Sequence, residues 1–337
     1  MNYETINLEK GMYATGKGFT EVLEELDPSE NYKGTALEGL DAYQRQLKRF
    51  DIKVSGIGSD TVQKFFSTTS AAALFPEFIS RAVRQGIEEA DVLDKIIATT
   101  TKINSMDYRS IVSDISDSAK KLEIVNEGDA ISETNVSVSD KLVNLKKRGR
   151  MLCASYEALK FQRLDLFAVT LRQIGAYIAR QQQEDAINVL INGDGESNNN
   201  AAGSVELAAS GVLTYADMLS LWNALHPYEM TTVIMSPDTM VKLLQIDEFK
   251  NPVAGFNFQG TGKAGTPIGA DLIKASCMAT ATPVVIGLDK RYALEKVVAS
   301  DVLVETDKLI DRQIERTSIT TIAGFSKIFP DAVKTLA

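Results

Sequence analysis

The chain has 337 residues, 44% hydrophobic and 24% charged, which is the balance of a globular protein with one large or two ordinary domains. It contains no run of about 18 apolar residues and no secretory signal pattern at its start, so we expect neither a membrane-spanning helix nor export. The net charge of −9 repels phosphate, which disfavours a nucleic-acid-binding protein. The two cysteines are too few for a disulfide framework.

Residues 1–70 indicate an extended arm that carries short helices. Between residues 36 and 50, apolar residues recur at spacings of three or four, which marks one face of a helix. Two interpretations remain open for this region: a small helical subdomain, or an arm that docks on a neighbouring subunit. Pro76 then suits an early position in a helix that runs through Ile87, and residues 92–103 are rich in Ile, Val and Thr and predict a strand.

Residues 109–155 contain no aromatic residue, and short alternating stretches such as 136–139 predict a long two-stranded ribbon with a turn at 126–129. A lone two-stranded hairpin is marginal in water, so the ribbon should lie against the rest of the chain or another copy of it. A basic cluster at 146–150 ends the ribbon. A solvated strand end or pairing with an acidic neighbour is the favoured interpretation, ahead of a DNA-facing patch.

The longest predicted helix covers residues 165–192, with Asp165 as its cap and Gly193 as a left-handed stop. At 1.5 Å per residue it spans about 40 Å, which is longer than a compact core, so we expect a spine with a partly exposed middle. The Asn- and Gly-rich stretch 192–203 predicts a domain boundary.

After this boundary, helices and strands alternate. Thr214 is predicted to cap a helix that ends near Leu225, and Ser236 with Pro237 opens another that runs through Ile246. Strands are predicted at residues 231–235, 283–287, 293–299, 301–306 and 314–322. The pattern predicts a mixed α/β domain inserted into a longer α+β scaffold.

No group of residues predicts catalysis. The single histidine, His226, precedes a proline and is expected to be structural or exposed, and the isolated Cys153 and Cys277 do not form a metal motif. Residues 260–265 have the letters of a GxGxxG loop, but no strand precedes them and no helix follows, so a surface loop is favoured over nucleotide binding.

Two acidic patterns also have simpler interpretations than a functional site. Residues 192–196 lack the spacing of a calcium loop, and helix termination explains them. The pairs Glu24–Glu25 and Glu88–Glu89 are expected to be solvated helix faces. We therefore predict no catalytic, cofactor-binding or metal residues, no cofactor, and a protein that is not an enzyme.

The order of elements resembles the Hong Kong 97-type fold of tailed-bacteriophage major capsid proteins. The order is an N-terminal arm, a short helix, an extended ribbon, a spine helix, an α/β insertion and a final strand. The stretches that carry the resemblance most specifically are 74–87, 166–195, 235–239 and 265–269, and it extends from about residue 65 onward.

The resemblance implies an α+β fold with four parts. Residues 1–70 would be the N-terminal arm, and 105–150 the extended loop that overlaps an adjacent subunit. Residues 71–104, 151–204 and 309–337 would form the peripheral domain, and 205–308 the axial domain.

The resemblance also implies a function: a major capsid protein whose hexamers and pentamers form an icosahedral shell around phage double-stranded DNA. The implied partners are further copies, a scaffolding protein, a portal and a cement protein, with no membrane. The protein would assemble in the host bacterial cytoplasm and reside in the virion. Members of this family often carry a long, charged helical scaffold segment that is cleaved off, but the first 70 residues here are short for that role, so we expect a separate scaffolding protein and an uncleaved arm.

Some members of this family weld their shells by a bond between a lysine of the extended loop and an asparagine near the C-terminus. Lys120 and Lys121 are available here, but no asparagine follows Asn257, so we expect no such cross-link. Two alternatives remain: an encapsulin-type nanocompartment shell, and a nucleotide-binding enzyme that uses the 260–265 loop.

Overall fold

The computed structural model describes residues 3–15, 17–113, 124, 127, 136–138, 142–194, 201–209, 212–250, 269–278 and 285–337. The α-helices in these ranges are α1 Phe19–Leu26, α2 Ala42–Arg49, α3 Thr69–Ala72, α4 Phe75–Ala90, α5 Tyr156–Phe161, α6 Leu164–Asn192, α7 Tyr215–Ala224, α8 Pro237–Leu244 and α9 Asp247–Lys250. The strands are β1 Thr99–Lys102, β2 Ile111–Ser113, β3 Val136–Val138, β4 Lys146–Ser155, β5 Gly203–Val205, β6 Thr232–Met235, β7 Asp271–Lys274, β8 Val285–Leu288, β9 Leu294–Leu309, β10 Ile314–Lys327 and β11 Val333–Leu336.

These strands form three sheets. A four-stranded sheet has the order β1-β9-β10-β4, and a five-stranded sheet has the order β5-β11-β8-β6-β7. The third sheet consists of β2 and β3 alone, paired antiparallel with Ile111 opposite Val138. Strands β2 and β3 of the predicted ribbon therefore pair with each other as expected, but its last stretch, β4, joins the four-stranded sheet instead. Most of the remaining ribbon, including its turn apart from Glu127, lies outside the described residues.

The chain divides into two compact units. Unit 1 comprises Met1–Ala90, Arg148–Ala179 and Val302–Thr321. Its core contains a cluster of buried phenylalanines from the 3-10 helix Val62–Phe66, from α4 and from α6: Phe65, Phe75, Phe78 and Phe167. Ring centroids in this cluster lie 5.5 to 6.5 Å apart, a spacing that favours aromatic pairs.

Helices α4 and α6 approach each other so closely in unit 1 that only glycine fits at the contact. A Cβ atom on Gly86 would lie 2.1 Å from the Arg172 carbonyl oxygen, and a Cβ on Gly175 would lie 2.1 Å from the Val83 carbonyl oxygen. Each helix thus packs a glycine against the backbone of the other, which brings the aromatic residues of both helices into one core.

The N-terminal region folds as part of unit 1. Its side chains Leu8, Phe19, Leu23 and Tyr43 are buried in the same core as α4 and α6. Of the two interpretations left open for residues 1–70, the described structure favours a helical subdomain, because these helices bury their apolar faces within their own unit.

Unit 2 comprises Asp91–Lys147, Arg180–Asp301 and Ile322–Ala337. Its core is mainly aliphatic, and every residue of strands β6 and β8 is buried. The hydroxyl groups of Thr214 and Ser236 accept N–H bonds from Asp217 and Thr239 at the starts of α7 and α8, so both predicted N-caps are confirmed.

Several predicted element boundaries were wrong. Residues 92–103 form a 3-10 helix at Leu93–Lys95 before the short strand β1, because Leu93 and Ile96 are drawn into the core of unit 2. The predicted strands at 293–299 and 301–306 are one strand, β9, and the last predicted strand extends to Lys327.

Helix ends also differ from the prediction. The spine helix begins at Leu164, so Asp165 lies inside its first turn and does not cap it. The helix that Pro237 opens ends at Leu244 and not at Ile246. The left-handed stop is confirmed, with a φ of 84° at Gly193.

Candidate assembly surfaces

The base of the ribbon is fastened in unit 2 by one buried carboxylate. Glu295 on β9 accepts hydrogen bonds from three hydroxyl groups: that of Thr101 on β1, that of Tyr108 at 2.8 Å and that of Ser110 at 2.6 Å. The second arm joins at the same place, because the Val143 N–H donates to the Tyr108 carbonyl oxygen at 2.8 Å. Burial and, to a smaller extent, the hydrogen bond to Glu295 raise the pKa of Tyr108. Its hydroxyl therefore stays protonated and able to donate.

The predicted basic cluster lies at the start of β4, which is an edge strand of the four-stranded sheet among the described strands. Lys146 forms an ion pair with Asp185 at 2.8 Å, so this part of the cluster is paired with an acidic neighbour, as the favoured interpretation expected. Lys147 and Arg150 are exposed. An edge strand with charged side chains resists uncontrolled pairing with other strands.

One glycine keeps β4 close to β10. A Cβ atom on Gly149 would lie 2.6 Å from Cγ2 of Thr320 and 2.7 Å from the carbonyl oxygen of Ile319. Both contacts lie in unit 1, and Met151, two residues farther along β4, is exposed. The strand thus combines close pairing on one side with an open edge on the other.

The outer faces of α7 and α8 in unit 2 carry exposed apolar side chains. Leu219 and Trp222 lie three residues apart on α7, and Val241 and Leu244 lie three apart on α8, so each pair shares one helix face. Trp222 is the only tryptophan of the chain and is 51% exposed. Exposed aromatic residues of this kind are typical anchors of protein interfaces.

A small polar cavity of about 160 Å³ also lies in unit 2. It is lined by Lys146, Asp185 and Asp194 together with apolar groups of β10. The Asp194 carboxylate accepts bonds from the Ser326 hydroxyl and from the Lys327 N–H, so it ties the end of α6 to β10. Burial lowers the pKa of the Lys327 amine to about 8, against the opposing effect of Asp194.

The candidate groups from the sequence have these locations. His226 is exposed at the end of α7, and Cys153 and Cys277 are exposed free thiols. Within the described residues no cluster of His, Cys, Asp or Glu could hold a metal ion, and no helix is both long and apolar enough to cross a membrane. The 260–265 loop, Lys120 and Lys121 lie outside the described residues.

One acidic pair was interpreted incorrectly. The Glu24 carboxylate is not simply solvated: it accepts bonds from the Ser29 N–H and hydroxyl and from the Ala42 N–H at the start of α2. It thereby links α1 to α2 in unit 1.

A protein-family model described as phage capsid protein matches residues 138–334, which is more than half of the chain. The chain belongs to the phage capsid protein family. A comparison with curated proteins gave no match.

Solved capsid structures have the same fold as this capsid protein at low sequence identity. The capsid of a native GTA particle is 17% identical with a TM-score of 0.52, and the match covers 75% of this chain and 89% of that one. The capsid of Cyanophage P-SCSP1u is 14% identical with a TM-score of 0.51, covering 72% and 86%. A virus-like particle from Pyrococcus furiosus is 13% identical with a TM-score of 0.52, covering 77% and 98%.

These findings confirm the predicted resemblance and the Hong Kong 97-type fold class. The capsid protein is a structural component of a capsid shell, and its partners in that shell are further copies of itself.

Proposed function

We propose that this chain is a major capsid protein whose hexamers and pentamers close an icosahedral shell around phage double-stranded DNA. The observation that carries the proposal is the family match over residues 138–334. We assign three parts as the sequence suggested: extended loop 105–150, axial domain 205–308, and a peripheral domain of residues 71–104, 151–204 and 309–337. Residues 1–70, predicted as an arm, are assigned to a helical subdomain, because their apolar side chains are buried within unit 1. A scaffolding protein, a portal and a cement protein complete the proposed set of partners.

Two features of the described residues support assembly through the loop and the axial domain. Strands β2 and β3 pair only with each other among the described strands, and such a ribbon needs a surface to cover. The outward side chains Leu219, Trp222, Val241 and Leu244 all lie in the proposed axial domain.

Electron microscopy of the expressed protein in negative stain tests the proposal. Closed shells, tubes or sheets of hexamers are expected. A protein that stays monomeric at high concentration under every condition would contradict it. The fluorescence of Trp222 gives a second measurement in solution, because its emission should shift to shorter wavelength when a neighbouring copy covers the side chain. Denatured protein should show the opposite shift and serves as the control.

We further propose that no Lys–Asn bond links the subunits. The proposal follows from the absence of asparagine after Asn257 in this sequence. Particles boiled in detergent should therefore give one band near 36.8 kDa. A ladder of covalent multimers would show that another pair of side chains forms the bond.

We also propose that the protein is not an enzyme. Calorimetry with nucleotides tests the 260–265 loop, and a measurable heat of binding would contradict the proposal.

An encapsulin-type shell is the second candidate function, because the match to the virus-like particle from Pyrococcus furiosus covers 98% of that chain. The contents of purified particles separate the two: DNA supports the phage capsid, and a packaged enzyme supports the nanocompartment.

A further inference from the structure

The spine helix ends at the only Asn-Gly dipeptide of the sequence, Asn192–Gly193. Such a dipeptide is open to a spontaneous reaction. The glycine nitrogen attacks Cγ of the asparagine and closes a five-membered succinimide, while the Nδ2 group takes the amide proton and leaves as ammonia. Water then opens the ring and leaves aspartate or isoaspartate. Glycine favours the attack, because it has no Cβ atom to hinder the nitrogen.

In the folded chain, both reacting groups are held away from this reaction. The Gly193 N–H donates to the Val189 carbonyl oxygen at 2.9 Å, so its nitrogen is engaged in the helix. The Nδ2 group of Asn192 donates to Oδ1 of Asn188 at 2.6 Å. Closing the ring also requires the Asn192 backbone to rotate away from its helical conformation. Deamidation therefore requires the last turn of α6 to open.

A carboxylate beside the dipeptide keeps this turn closed. Asp194 accepts bonds from the Ser326 hydroxyl at 2.9 Å and from the Lys327 N–H at 3.1 Å, both at the end of β10. Just before β5, the Ala202 N–H donates to the Ile191 carbonyl oxygen at 3.0 Å. The end of α6 is thus fixed by two segments that are distant from it in sequence, and opening must break these contacts.

Solvent reaches the turn while unit 2 stays folded. Asn192 is exposed, and Gly193 and Asp194 line the polar cavity of about 160 Å³. A polar cavity of this size is large enough for several water molecules. Access of water to the succinimide therefore does not limit the reaction, and opening of the turn does.

We propose that Asn192 is a modification site at which spontaneous deamidation is controlled by the contacts of Asp194 with β10. The control does not require assembly, since every contact lies within unit 2 of one chain. Local opening of a helix end costs less free energy than unfolding of the whole protein, so the turn opens while the rest of the unit remains folded. The fraction of time that the turn is open sets the rate.

The product does not fit the closed turn. Aspartate at position 192 places a negative charge at the C-terminal end of a 29-residue helix, where the helix dipole is negative and Asp194 is already charged. Isoaspartate adds a methylene group to the main chain, which displaces Gly193 from the Val189 carbonyl oxygen. Each modified chain therefore loses the left-handed cap of α6, and refolding does not restore it.

Peptide mapping by mass spectrometry after incubation in buffer tests this control. In folded wild-type protein, position 192 should react at least about 30-fold more slowly than in denaturant, because opening breaks several hydrogen bonds. Asp194→Ala should raise the rate in folded protein about tenfold, since it removes both bonds to β10. Glu206→Ala is the matched control: it removes an exposed carboxylate from the same unit and should leave the rate unchanged.

Two further measurements control for solvent and for misfolding. Asn104 precedes Ser105 in an exposed bend, so its own rate corrects for the effect of the denaturant on the chemistry. Ser326→Ala removes only the hydroxyl contact of Asp194 and should raise the rate at position 192 about threefold. If Asp194→Ala lowers the melting temperature by more than Glu206→Ala does, the result for Ser326→Ala decides.

Three results would overturn the proposal. Equal rates at position 192 in folded and denatured wild-type protein would show that the helix end gives no protection. A rate unchanged by both Asp194→Ala and Ser326→Ala would show that the contacts with β10 do not control the turn. Absence of aspartate and isoaspartate at position 192 even in denaturant would show that the dipeptide is not a modification site.

Discussion

The two units satisfy several of their buried charges in different ways. In unit 1, charged side chains pair with each other: Arg45 binds Asp27 at 2.9 Å, and Arg81 on α4 binds Asp41 and, within the same helix, Glu77. In unit 2, the buried Glu295 and Asp217 accept bonds from hydroxyl groups and backbone N–H groups, although the buried Asp289 also pairs with Arg291 at 2.8 Å. We therefore expect the stability of unit 1 to fall most when one partner of an ion pair is removed. The stability of unit 2 should change by smaller amounts, in response to altered hydrogen bonding and pH.

The interiors differ as well. Unit 1 contains the cluster of phenylalanines where α4 crosses α6, whereas the buried core residues described in unit 2 include a single aromatic side chain, Phe325. Large aromatic side chains and a helix contact at backbone distance leave little room for rearrangement. We therefore expect the largest effects of substitution in unit 1.

The glycine contact of unit 1 should be the most sensitive position. Gly175→Ala places a Cβ atom 2.1 Å from the Val83 carbonyl oxygen, and backbone atoms cannot move aside as a flexible side chain can. The free energy of unfolding should fall by at least about 3 kcal/mol, measured by denaturant titration. Gly11→Ala is the control, because no atom lies within 4 Å of its added Cβ. Equal stability of the two variants would contradict the close approach.

Arg45 should be the next most sensitive residue. It is fully buried and donates to the Asp27 carboxylate, the Ser29 hydroxyl and the Leu40 carbonyl oxygen. Arg45→Met leaves the Asp27 carboxylate buried without its cation, so the free energy of unfolding should fall by about 3–5 kcal/mol.

Two comparisons sharpen the Arg45 prediction. Adding Asp27→Leu to Arg45→Met should restore part of the stability, because the unpaired carboxylate is then absent. Lys17→Met removes the exposed ion pair with Glu25 and should not change the melting temperature measurably. A double variant no more stable than Arg45→Met alone would show that packing, and not charge, dominates at this site.

Lys327 should make unit 2 sensitive to alkaline pH. Its pKa of about 8 lies below the ordinary 10.5, so between these values the unfolded chain binds a proton that the folded chain lacks. The free energy of unfolding should therefore rise with pH across this window, by up to about 3 kcal/mol. Lys327→Met should abolish this rise, and the exposed Lys290→Met should retain it. Parallel pH profiles for the wild type and Lys327→Met would contradict the lowered pKa.

The contrast between the units also explains what the sequence could predict. Helix caps depend on neighbouring residues, so Thr214, Ser236 and Gly193 were recognisable from local patterns. Helix periodicity and the order of elements were likewise sufficient for the fold class. These signals need no knowledge of how distant segments meet.

Contacts between distant segments were missed for the same reason. Glu295 lies 187 positions from Tyr108, and nothing in its own strand marks it as a hydrogen-bond acceptor for the ribbon. Gly86 and Gly175 offered a usable signal, because a glycine inside a helix is costly and requires a packing reason. Arg45 gave none, since a cation on the polar face of a short helix is ordinarily solvated.

The smallest predicted effect lies at the base of the ribbon. Glu295→Gln keeps the size of the side chain but replaces one acceptor oxygen with an NH₂ group, which cannot accept the bond that Ser110 or Tyr108 donates. Loss of one buried hydrogen bond should lower the free energy of unfolding by about 1–3 kcal/mol. Amide hydrogen exchange should quicken at residues 108–113 and 142–145, with exchange in the α4–α6 core of unit 1 unchanged as the internal control. Because the effect is confined to the point where both arms of the ribbon join unit 2, faster exchange throughout unit 1 would show that Glu295 supports the whole fold and not the ribbon alone.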